Sequence, residues 1–161
     1  MGQGNLSLLE LAAKRGKAWI LSIDAIDPTG ADDHFVHMRN TGARSLAIVA
    51  MELMSTVAGF VEPFRASGTA SNTPTAVTPR SLAGPGGAAP VGTFETGVDL
   101  VMTIGDLLGF FYLAANTPRP LEVYYVIPPA TGIAFNWSVA TGVLSGHVIL
   151  VELAQDEDPV D

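Results

Sequence analysis

Residues 121–153, LEVYYVIPPATGIAFNWSVATGVLSGHVILVEL, read as three consecutive β-strands separated by two breaks. In the first, Leu121, Val123, Tyr125 and Ile127 share one face, and Glu122, Tyr124 and Val126 share the other. Pro128-Pro129-Ala130-Thr131-Gly132 ends it, because proline offers no ladder donor and glycine accepts positive φ. Ile133, Phe135, Trp137 and Val139 then alternate with Ala134, Asn136 and Ser138, which predicts a half-buried strand. After Ala140-Thr141-Gly142 the last strand runs from about Leu144 to Leu153 and is apolar on both faces. Val148 and Leu150 occupy one face; Ile149, Val151 and Leu153 occupy the other. One face meets the core. The other needs a second cover, which makes Tyr124, Val126, Ile149, Val151 and Leu153 candidate subunit contacts.

A chain of 161 residues fits one domain with a substantial core. Only 15% of its residues are charged against 48% hydrophobic, a balance that points to a surface partly covered by partners. The net charge of −8 opposes nucleic-acid binding, since phosphates would be repelled. With no cysteine, disulfides, thiolate metal sites and cysteine nucleophiles are ruled out. The start, MGQGNLSLLELAAKRGK, places its basic residues after the apolar run, the reverse of a secretory leader. No unbroken apolar stretch is long enough for a membrane-spanning helix.

Three regions are predicted: an N-terminal arm (1–16), a β-sandwich (17–155) and an acidic tail (156–161). In the arm, Ser7-Leu8-Leu9-Glu10 matches a capping box, and Lys14, Arg15 and Gly16 suit a helix end. The arm either covers its own sandwich or docks elsewhere. On the second reading Leu8, Leu9, Leu11, Lys14, Arg15 and Lys17 are the attachment residues. Strands are predicted over Lys17–Ile26, His34–Asn40 and Ser45–Thr56, continuing over Val57–Arg65. A helix over Ser45–Met54 is the alternative for the third. Ala66–Pro90 reads as a long polar loop with Val77 and Leu82 buried, and loops of that length serve partners or function. Val91–Ile104 and Leu107–Ala115 supply two more strands. Short strands with Gly/Pro punctuation give an all-β fold: an antiparallel, jelly-roll-like sandwich of about eight strands.

The chemistry-bearing residues do not assemble into a catalytic pattern. His34 and His37, three apart on a strand, are predicted to face opposite ways and not to chelate together; His147 could join one of them from another strand, but ordinary buried or surface histidines are the expectation. Asp24, Asp27, Asp32 and Asp33 could ring a calcium ion with loop carbonyls, but they lack the spacing of a calcium-binding helix–loop–helix, and acids are common in turns. Glu122 and Glu152 could fall on adjacent strands as a carboxylate pair, but are expected to be solvated or interface residues, and the serines lack a nucleophile elbow. Tyr124, Tyr125, Phe135 and Trp137 offer either a sugar-stacking platform or core and subunit contacts. The expectation is no enzyme, no cofactor and no metal.

Phe35-Val36-His37-Met38-Arg39-Asn40-Thr41-Gly42, the Gly/Thr/Pro-rich 68–90 stretch, the Val126–Gly132 turn and the closing Ile149–Glu152 together resemble a known group. It comprises the small jelly-roll structural proteins of tailed-bacteriophage virions, similar to tumour-necrosis-factor-like trimers. Where those relatives often carry Asn-Pro and Pro-Gly, this chain has Asn40-Thr41 and Pro129-Ala130. The resemblance implies a non-enzymatic homotrimer on the outer surface of a phage head, cementing the major capsid protein. A receptor-recognition or fibre-associated module binding host glycans is the alternative it allows.

Overall fold

Ser7 and Glu10 start the first element by satisfying each other's amides: Glu10 N–H donates to Ser7 Oγ at 3.3 Å, and Ser7 N–H donates to Glu10 Oε2 at 2.7 Å. The Ser7 amide holds the Glu10 carboxyl below its ordinary range. A computed structural model describes residues 7–155; the acidic tail predicted over 156–161 lies outside them. Helix α1 spans Leu8–Lys14 and ends at Gly16, whose φ of +70° favours glycine.

The rest is β-structure: β1 (Ala18–Ile26), β2 (Asp33–Asn40), β3 (Leu46–Ser55), β4 (Gly59–Ser71), β5 (Thr75–Ala76), β6 (Arg80–Ser81), β7 (Gly92–Leu107), β8 (Phe111–Leu113), β9 (Arg119–Ile127), β10 (Gly132–Trp137) and β11 (Leu144–Glu152). They form two antiparallel layers, β6-β1-β11-β3-β9 and β5-β7-β2-β10-β4-β8. Among the eight longer strands, β1, β3, β9 and β11 fall in one layer and β2, β4, β7 and β10 in the other, which is jelly-roll-like connectivity. Trp19, Leu21, Ile48, Leu53, Val148 and Leu150 meet Val36, Met38, Val61, Ile133, Phe135 and Trp137 between the layers. The alternation in β9 is as expected, with Leu121, Val123, Tyr125 and Ile127 turned to that core. The helical alternative for Ser45–Met54 is set aside, since β3 pairs on both edges.

Other strands depart from the expectation for stated reasons. β10 is buried along its whole length, not on one face. It lies between β2 and β4, and β7 pairs with β2 through its first half and with β4 through its second. The ring β2–β10–β4–β7 thereby encloses the face that carries Ala134 and Asn136. The predicted Val91–Ile104 strand is a longer one that runs on to Leu107, and little of Leu107–Ala115 remains as β8. The predicted 66–90 loop is partly ordered. β4 extends through Ser71, β5 pairs with β7, and β6 pairs with β1, so the segment straps one flank of the sandwich. Trp19 Nε1 donates to Ala88 O at 2.7 Å and fixes its end. Val77 packs on the core, whereas Leu82, predicted buried, is exposed.

Ala130 sits in the turn between β9 and β10 with φ +64°, a conformation disfavoured by a Cβ. Ala130→Gly should raise stability by about 1 kcal/mol, because relief of that strain outweighs the entropy glycine adds to the unfolded chain. An unchanged or lower urea midpoint would contradict this.

Candidate interaction surface

The layers' two flanks are unlike. The 72–90 segment covers the flank formed by β1 and β7, whereas β9 and β8 end their layers on the opposite flank. An unpaired edge invites association unless it is short, charged or proline-bearing. β8 is three residues long, and β9 carries Pro120 with Arg119 and Glu122 exposed. Next to these edges lies an apolar surface. Phe60 on β4 packs edge-on against Phe110 (ring centroids 5.9 Å) and Tyr112 on β8 (5.5 Å). Phe110 is 65% exposed, Tyr112 49%, Leu107 48% and Phe60 40%. Phe60 pairs with Tyr112 where β8 joins β4. Several large apolar groups packed together mark a contact site more often than scattered single ones do. Arg119 donates to Tyr112 O, which ties β8 to the start of β9.

The face named as the subunit contact has another cover. Val151 and Leu153 are fully buried with Ala12, Ala18 and Ala47, and Leu8, Leu9, Ala13, Val49 and Val126 pack around them. Helix α1 lies on the outside of the five-stranded layer and shields these residues within the same chain. Two-faced strands therefore do not by themselves require a partner here, and Val151 and Leu153 are not available as subunit contacts. Val126 and Ile149 are half-buried; Tyr124 stays 54% exposed beside a groove lined by Leu8, Leu9, Val49 and Ala50.

The attachment residues are largely committed in the same way. Leu8 and Leu9 are half-buried against the layer. Lys17 Nζ pairs with Glu152 Oε1 at 3.1 Å, and Arg15 donates to Glu152 O at 3.3 Å. Leu11, at 38% exposure, and Lys14 face outward. Of the two readings of the arm, the structure gives the cover of its own sandwich.

The other candidates separate. Phe135 and Trp137 are in the core, so Tyr124, Tyr125, Phe135 and Trp137 form no platform. Glu122 and Glu152 lie on β9 and β11, which β3 separates, opposite Ala50 and Leu46. Asp33 accepts the Gly30 amide at 2.5 Å in an ordinary turn. Among the described residues no three His, Asp or Glu side chains converge where a metal ion could sit. No helix among them is long and apolar enough to cross a membrane.

His34 and His37 overturn the period-two expectation. β2 bulges opposite the Phe135/Asn136 step, so His37 pairs with Ala134 and His34 with Asn136. Both imidazoles fall on the same face. A bulge inserts one residue into the count, and nothing in HFVHMRN announces it.

Comparison of the chain with protein-family models, with curated proteins and with solved structures returned no match. Sequence reasoning missed Phe60, Phe110 and Tyr112 as a group. The run Gly109-Phe110-Phe111-Tyr112 was the available signal, three aromatics after a glycine, but their exposure depends on where β8 ends its layer.

Proposed function

We propose that the chain is a non-enzymatic virion structural protein: a homotrimeric capsid decoration protein of the cement type, set on the outer surface of a phage head against the major capsid protein. The virion setting comes from the resemblance over residues 17–152. Self-association is carried by one observation, the exposed Phe60–Phe110–Tyr112 cluster beside two unpaired strand edges. An interface of standard size buries roughly 800 Å² per partner and concentrates its aromatic residues at the centre. This cluster has the composition of such a centre.

Native mass measurement at micromolar concentration should give a trimer. Replacing Phe60, Phe110 and Tyr112 together by serine should give a folded monomer that no longer sediments with heads. A wild-type monomer, or a serine variant that remains trimeric, would remove the self-association argument. The receptor-recognition reading draws on the same exposed rings, which also suit the apolar face of a sugar. A glycan array distinguishes the two: a dose-dependent signal lost in Phe110→Ala supports glycan binding, and a blank array supports the cement role.

A further inference from the structure

The bulge in β2 places two histidines on the face enclosed by the β2–β10–β4–β7 ring. His37 is fully buried, and its Nδ1 lies 3.1 Å from Glu95 Oε2 on β7. His34 pairs across to Leu100 on β7 and meets the Phe64 ring of β4 edge-on, centroids 6.0 Å apart. Opposite His34 on β10, Asn136 donates to Glu62 Oε2 of β4 at 2.8 Å and to Asp32 Oδ1 at 3.4 Å. The Nε2 atoms of both histidines and Oδ1 of Asn136 are buried and have no hydrogen-bond partner. Buried polar atoms are nearly always paired, so such a cluster is costly to keep and sensitive to a change of charge.

We propose that His34 is an acid-sensitive latch that holds β7 against β2 while its ring is neutral and releases this seam when protonated. The His34 ring sits where β2 meets β7, through its pairing with Leu100, on the same seam as the His37–Glu95 contact. The charged groups set around them are Asp32 and Asp33 before and at the start of β2, Arg39 on β2, Glu62 on β4, and Glu95 and Asp99 on β7; β10 contributes only Asn136. Four of the carboxylates favour a charged His34, yet burial outweighs them and holds its pKa below the ordinary 6.5. The sign follows. An opened seam returns His34 to water, where it takes its proton near pH 6.5, before the closed form can. Closure is therefore at full strength above that pH and weakens as pH falls towards the lower, closed-state value.

Hydrogen exchange of the full chain at pH 7.5 and pH 5, corrected for intrinsic rates, tests the latch. Protection of β7 amides over residues 92–100 should fall several-fold at the lower pH, while β3 amides hold theirs. His34→Gln should abolish the fall. Equal loss in β3 and β7, no loss in either, or a fall retained in His34→Gln would overturn the proposal. If that variant does not fold, a proton-resonance titration of His34 in the wild type decides the question. A midpoint below 6.5 supports the latch, and one at or above 6.5 overturns it.

Discussion

Gly146→Ala is expected to cost at least about 3 kcal/mol and to leave little folded protein at 37 °C, a large share of the 5–15 kcal/mol that holds a typical domain together. Gly146 lies within β11, opposite Ile23 of β1 and Leu53 of β3, with φ +149°. A Cβ there would run into the backbone carbonyl of Glu52 and approach the Leu53 Cα to 3.0 Å. The obstacle is backbone, so no rotamer change clears it. β11 cannot shift aside either, because it is paired along its length on both edges, with β1 and with β3. The positive φ adds its own penalty for any L side chain. Urea unfolding of the variant against wild type checks this. A midpoint within error of wild type would mean that β11 can relax, and the rigidity assigned to the five-stranded layer would be wrong.

Removing residues 1–16 should destabilise the domain by about 3 kcal/mol and make it aggregate. Burial of Ala12 and half-burial of Leu8, Leu9 and Ala13 account for that scale at roughly 25 cal/mol per Å² of apolar surface. The truncated chain would also uncover Ala47, Val151 and Leu153 and lose the Arg15 bond to Glu152. Light scattering and thermal unfolding report the two effects separately. Were the truncated chain as stable and as monodisperse as the full one, α1 would be an independent arm, and the attachment role of Leu8, Leu9, Leu11, Lys14, Arg15 and Lys17 would regain its footing.

These two predictions rest on features that the sequence exposes to different degrees. The capping box, the alternation in 121–127 and the Pro-Pro turn are local. They act through side chains within a few residues of the backbone they organise, so the residue order is enough to read them. The bulge in β2 is not of this kind. Whether Phe35 is an extra residue depends on how β10 pairs alongside, and one miscounted position turned His34 to the wrong face. The candidate surface was equally hidden. Phe135 and Phe110 are the same residue type in similar apolar runs, yet one is in the core and the other is 65% exposed.

From its residues alone this chain determined that it is an all-β sandwich, where most of its strands fall, and that a capped helix precedes them. Period and punctuation are written into the order of side chains. Only the tertiary structure decided that α1 covers the outer face of β11, that β7 closes a ring around two histidines, and that three aromatic side chains share an open flank. Those outcomes depend on which strands become neighbours, and neighbours distant in sequence are chosen by the packing of the whole chain.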